Sequence, residues 1–79
     1  MLTEALEHLV KGFVDEPDAV RVATRPGRRG QLLEVRVAPA DLGRVIGRGG
    51  RTARALRTVM DALARGKDVR VDIVDTDRR

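Results

Sequence analysis

Leu2, Ala5, Leu6, Leu9, Val10 and Phe13 recur at three- and four-residue spacing. That spacing places them on one face of a helix. The pattern predicts a helix over residues 2–13, with Phe13 in the core and His8 on the exposed polar side. Glu4 and Glu7 sit near its start and Lys11 near its end, the favourable sense for the helix dipole. Thr3 is a candidate N-cap, and Gly12 followed by Asp15-Glu16-Pro17-Asp18 ends the helix. Residues 19–24 then alternate, with Val20 and Val22 to one side and Arg21 and Ala23 to the other, as a half-buried strand does. Arg25-Pro26-Gly27-Arg28-Arg29-Gly30 reads as a turn. A second strand follows over 31–37, with Leu33, Val35 and Val37 inward and Glu34 and Arg36 outward. The two strands make a hairpin.

Pro39 suits the first turn of a short helix whose apolar face is Leu42, Val45 and Ile46. Gly47-Arg48-Gly49-Gly50 interrupts it, and a third helix runs over 51–65, with Ala53, Leu56, Met60 and Leu63 at helical spacing and Val59 beside them. Gly66 is the expected stop. Val69, Val71 and Ile73 alternate with Arg70 and Asp72 as a third strand, and residues 75–79 form a polar tail expected to fray. The order is α-β-β-α-α-β. It predicts a single α+β domain over residues 1–79, a three-stranded sheet covered on one face by three helices.

Composition narrows the chemistry. The chain has 79 residues, room for one small domain, and contains no Cys, Ser, Asn, Tyr or Trp. Disulfides, thiolate zinc sites and Cys or Ser nucleophiles are therefore excluded. No apolar run approaches the ~20 residues that span a bilayer. The first residues, with Glu4 and Glu7, do not resemble a secretion signal. These features imply a soluble, cytoplasmic, non-enzymatic domain. The acids Asp68, Asp72, Asp75 and Asp77 are read as a charged strand and tail rather than a metal site, and no cofactor is expected.

The formal charge is +4, with Arg supplying 14 of the 16 cations. The charge is unevenly spread. Residues 1–20 carry −4, residues 21–57 carry +8 and residues 58–79 carry 0. A basic block of this kind suits a polyanionic partner. With Phe13 as the one aromatic residue, nucleic-acid binding cannot rest on stacking platforms.

The informative stretch is Val45-Ile46-Gly47-Arg48-Gly49-Gly50-Arg51-Thr52. An apolar helix end meets a glycine-bounded loop, and a second helix starts at once. Its first N–H groups are unpaired and lie at the positive end of the helix dipole, an arrangement that receives anions. Arg44, Arg48, Arg51, Arg54 and Arg57 cluster here, with no acid between Leu42 and Met60. A nucleotide loop of the G-x-x-x-x-G-K-[ST] type fails, because Arg48 stands where a glycine is needed and no Lys-Ser or Lys-Thr follows. The dinucleotide pattern G-x-G-x-x-G fails because Gly47-Arg48-Gly49 continues as Gly50-Arg51-Thr52. Both loops also need a strand in front, and here a helix precedes.

Val-Ile-Gly-Arg-Gly-Gly-Arg-Thr-Ala, with the lead-in Asp41-Leu42-Gly43-Arg44, resembles the G-x-x-G region of KH domains. The element order is similar to the bacterial type II KH fold. The size resembles the small KhpA-type RNA-binding proteins, which hold a single KH domain. The resemblance runs from Leu2 to Val74. One departure is Ala53, where many KH domains carry a larger aliphatic residue.

The resemblance implies a clamp on about four single-stranded nucleotides. Gly47, Arg48, Gly49 and Gly50 would hold the sugar-phosphate backbone, with Arg44, Arg51 and Arg54 beside them. Val45 and Ile46 would form an apolar groove floor, and residues 33–37 the opposite wall. The hairpin loop with Arg25, Arg28 and Arg29 is read first as a charged loop and only second as an auxiliary contact. The resemblance also implies an RNA chaperone or post-transcriptional regulator. Its partners would be single-stranded RNA and either a second copy or a larger KH-containing protein. One groove of this size binds weakly, so a second module is expected from multivalency. The competing reading is a protein-docking module whose basic face meets an acidic partner.

Overall fold

The computed structural model describes residues 2–27 and 30–74. Six regular elements appear in the expected order: α1 (Leu2–Lys11), β1 (Arg21–Pro26), β2 (Gln31–Arg36), α2 (Leu42–Ile46), α3 (Arg51–Ala64) and β3 (Val69–Ile73). Short 3-10 turns at Pro17–Ala19, Pro39–Asp41 and Arg48–Gly50 link them. The expectations for Arg28, Arg29 and the tail 75–79 lie outside the described residues.

The sheet order is β1-β2-β3. β1 and β2 pair antiparallel, from Arg21 opposite Arg36 to Pro26 opposite Gln31. β2 and β3 pair parallel, from Gln31 opposite Val69 to Val35 opposite Ile73. The crossover between those parallel strands is the α2–loop–α3 unit, so the glycine loop sits inside the connection that the parallel pairing demands. The Gly27 N–H donates to the Gly30 carbonyl at 2.7 Å and closes the hairpin. A Cβ on Gly30 would collide with the backbone of Asp68, whose carbonyl accepts from the Gln31 N–H at 3.0 Å. Glycine there lets the end of β3's approach loop dock on the start of β2.

One face of the sheet carries the core. Leu33 and Val35 from β2 and Val69 and Val71 from β3 meet Leu6 and Val10 of α1, Val45 of α2, and Leu56 and Met60 of α3. Leu6, Leu33 and Met60 are fully buried, each contributing roughly 1.5–3 kcal/mol of transfer free energy. The opposite face presents Arg21, Ala23 and Arg25 beside Arg36, Glu34 and Leu32, and then Asp72 and Arg70. Arg25 Nε donates to Glu34 Oε1 at 2.6 Å across this face.

Several sequence expectations are corrected. Phe13 is 46% exposed rather than core. The helix stops at Lys11, so Phe13 has left the helical stripe, although its N–H still donates to the Val10 carbonyl at 2.9 Å. Thr3 lies inside α1 and is not its cap. β1 begins at Arg21 rather than Ala19, because Pro17–Ala19 is taken up by a 3-10 turn. It extends to Pro26, which an edge strand tolerates. The buried stripe of α3 is Ala53, Leu56, Met60 and Ala64, and Leu63 points outward at 49% exposure. After Met60 the helix turns Ala64, not Leu63, toward the core. The end of α3 uses Arg65 in the left-handed region (φ 52°) ahead of Gly66 (φ 85°).

Asp41 is the one buried charged side chain among the described residues, at 1% exposure. It stands at the N-cap position of α2 but makes no cap bond to that helix. Its carboxylate instead accepts from the backbone N–H groups of Asp15 and Glu16, at 3.1 and 3.0 Å. It therefore ties the loop after α1 to the start of α2. Asp41→Ala strips acceptors from both N–H groups and is expected to destabilise the domain by about 2–4 kcal/mol. Asp41→Asn keeps one acceptor and should cost about half as much. Urea denaturation of the three proteins checks this, and equal stability would contradict it.

Candidate nucleic-acid interface

The interface grows from a short helix that is stopped abruptly. α2 has five residues and closes with the Gly47 N–H donating to the Gly43 carbonyl at 2.8 Å. Gly47 then takes φ 78° and ψ 167°, a region essentially open only to glycine. A Cβ at Gly47 would collide with the side chain and backbone N of Thr52. This glycine is thus required twice, for its dihedrals and for the contact of α2's end with α3's first turn.

Gly49 (φ 64°) and Gly50 (φ 77°) are also left-handed, but space around their Cα atoms is open. The Gly50 N–H donates to the Gly47 carbonyl at 3.1 Å, which makes the turn compact. Gly50 caps α3 and offers no side chain to satisfy the first N–H groups of that helix. The Arg51 N–H donates to the Arg48 carbonyl within the turn, and the N–H groups that follow it gather at the positive end of the α3 dipole. Arg48 and Gly49 are exposed at the tip, and Arg51 and Arg54 are exposed on the first turns of α3.

The arginines divide into two kinds. Arg44 pairs with Asp15 at 3.0 Å and approaches Asp41 at 3.8 Å, so its charge is held back toward the α1–β1 loop. Arg57 turns toward the sheet, where its Nε donates to the Val71 carbonyl at 3.3 Å. Among the described residues, Arg48, Arg51 and Arg54 have no carboxylate partner. They flank the loop as a cationic group.

The apolar positions separate as well. Ile46 is 38% exposed beside the loop, whereas Val45 has no exposed surface and packs beneath it. A ligand on this surface meets Ile46, while Val45 supports it from the core. The expected opposite wall at residues 33–37 is corrected: Leu33 and Val35 are fully buried, because β2 is the central strand. The strand bordering α3 is β3. Its outer edge is unpaired within the sheet and runs back toward the start of α3.

Two features were missed by sequence reasoning. Asp41 looked like part of a motif lead-in, and its partners lie 25 and 26 residues away in sequence. The second is an apolar stripe on the outside of α3, with Val59 43% exposed and Leu63 49% exposed. A shallow cleft of about 390 Å³ beside Val59 is lined by Arg51, Arg54, Ala55 and Thr58. The helical period does place residues 55, 59 and 63 together, but the same period served the core pattern and hid them.

Among the described residues no cluster of His, Cys, Asp or Glu is suited to hold a metal ion. No helix among them is long and apolar enough to cross a membrane.

The chain is similar to known proteins along nearly its whole length. The family model described as KhpA/KhpB, KH domain, matches residues 3–74. A protein named RNA-binding protein KhpA from Streptomyces coelicolor is 70% identical, over 98% of this chain and 96% of its own length. The protein of the same name from Leifsonia xyli is 65% identical, over 95% of this chain and 99% of its own. The one from Aquifex aeolicus is 45% identical, over 94% of this chain and 96% of its own. The match takes in all six regular elements and the glycine loop, and the chain belongs to the KhpA/KhpB family of KH domains.

Proposed function

We propose that the protein is a non-catalytic binder of single-stranded RNA that grips the sugar-phosphate backbone between α2 and α3. The observation that carries this reading is the turn at 47–50. Its glycines leave a bare backbone surface, next to an α3 start with no side-chain cap and three arginines, Arg48, Arg51 and Arg54, that pair with no carboxylate among the described residues. Backbone N–H donors and guanidinium forks are the groups that hold phosphates. A KH loop of this kind clamps about four nucleotides. Ile46 supplies apolar surface for a base, and Val45 holds Ile46 and the loop in place from below. Arg44 serves the framework through Asp15 and Asp41 rather than contacting phosphate directly. The names of the relatives support RNA as the polyanion.

A grip on four nucleotides with one aromatic residue in the chain gives modest affinity, so the protein works as part of a pair, with a second copy or with a larger KH-containing protein. The exposed Val59 and Leu63 on α3 support that reading, since they form apolar surface facing away from the domain's own core. In this reading the protein acts in the cytoplasm as an RNA chaperone or post-transcriptional regulator.

Replacing Arg48 and Gly49 together by Asp puts two negative charges at the loop tip. Gly49 has open space around it and Asp tolerates left-handed backbone, so the fold should persist. RNA affinity is expected to fall at least tenfold in fluorescence anisotropy, with circular dichroism unchanged. In the native protein the affinity should fall with salt at a log–log slope near −2, about −0.7 for each of three phosphate contacts. A flat salt response and an unaffected double variant would instead favour a protein-docking module. For self-association, Val59→Asp with Leu63→Asp should lower the mass seen by sedimentation while leaving the melting temperature of the domain nearly unchanged. An unaltered mass distribution would remove α3 from the pairing surface.

A further inference from the structure

A second cleft lies on the other side of α3, along the open edge of β3. Its volume is about 560 Å³, and Leu32, Arg57, Asp61, Asp68, Arg70 and Asp72 line it. That volume falls within the range of small-molecule pockets, about 300–1,000 Å³. Its charge is unlike that of the loop. Two arginines face three aspartates, so phosphate is disfavoured here while a neutral group rich in donors and acceptors is not.

The cleft is built from fixed parts. The Asp68 carbonyl and the Val74 N–H bond toward β2, so alternation along the ladder turns the backbone groups of Val69, Val71 and Ile73 to the open edge. The Val71 carbonyl on that edge accepts from Arg57 Nε. This bond holds the guanidinium at the strand edge, and among the described residues its terminal nitrogens have no carboxylate partner and can donate elsewhere. Asp61 is four residues further along α3, so it shares the same helix face as Arg57. Among the described residues, the carboxylates of Asp61, Asp68 and Asp72 have no ion-pair partner. The cleft thus offers a carboxylate acceptor beside an oriented guanidinium donor, two turns of helix beyond the arginines that flank the loop.

Resting on the RNA-binding reading above, we propose that this cleft receives a guanine base of the bound strand. Asp61 would accept from guanine N1–H and N2–H, and Arg57 would donate to O6. Guanine is the one common RNA base whose Watson–Crick edge presents two adjacent donors followed by an acceptor. Adenine and cytosine each present one amino donor beside ring acceptors, and uracil presents one donor between two acceptors. Single-stranded RNA exposes these edges for such readout. The phosphates stay at the basic loop, and the acidic cleft selects the base.

The test uses the full chain and short oligouridine RNAs, each carrying one guanine at a different position. Matched RNAs carry inosine, which lacks the N2 amino group, or adenine at that site. At the favoured position guanine is expected to bind about fivefold tighter or more than inosine or adenine, as a bidentate contact should. Asp61 is exposed, so Asp61→Asn retains the fold and should erase that preference while leaving oligouridine affinity within about twofold. Equal affinity for guanine and inosine, with the Arg48/Gly49 double variant still blocking binding, would overturn the guanine site and leave the loop clamp standing. A guanine preference that survives in Asp61→Asn would overturn the assignment to Asp61. RNA binding that ignores the Arg48/Gly49 double variant would instead overturn the clamp itself.

Discussion

A side chain at residue 47 has nowhere to go, because Thr52 occupies the space where a Cβ would stand. That contact forces α2 to end and α3 to begin within a few residues. The turn between them then needs left-handed backbone at Gly49 and Gly50, which glycine supplies at no steric cost. The outcome is a short helix, a bare loop and a helix start without a side-chain cap, packed together. That unit is also the crossover between the parallel strands β2 and β3. The candidate interface is consequently part of the connection that makes the sheet.

The second anchor is Asp41 at the other end of α2. Its buried carboxylate binds two backbone N–H groups of the α1–β1 loop and draws Arg44 toward Asp15. α2 is too short to be stable by itself, so it is fixed by Asp41 at its start, Val45 in the core and Gly47 at its end. This arrangement sorts the arginines of the +8 block by their partners. Arg44 is held toward an acidic loop, and the Nε of Arg57 is held by a strand carbonyl. Among the described residues, Arg48, Arg51 and Arg54 at the loop have no carboxylate partner. Composition alone counts all five as equal.

The element order, the hairpin and the glycine loop were legible because each rests on local spacing. Period-two alternation gave β2 and β3, and the glycine run gave the turn. Non-local pairing was not legible. Asp41 reads in the sequence only as part of a motif lead-in, and only the folded chain brings Asp15 and Glu16 to its carboxylate. Phe13 satisfied the helical period but lies beyond Gly12, where the helix has ended. Leu63 and Ala64 both satisfied the period after Met60, and packing chose the smaller residue. The groove wall was misplaced onto residues 33–37 because the alternation that marks a strand does not say whether it is central or at the edge. Sheet order decides that, and it puts Leu33 and Val35 inside and β3 beside α3.

The central claim is that RNA is held where α2 meets α3, by the loop backbone and the first turn of α3. Amide chemical shifts recorded during titration with a short single-stranded RNA test it residue by residue. The account predicts that the amides of Gly47 to Thr52 move first and furthest, with Arg54 following and the outer sheet residues Ala23 and Glu34 still. Shifts concentrated on the outer face of the sheet, with the loop amides unmoved, would contradict it.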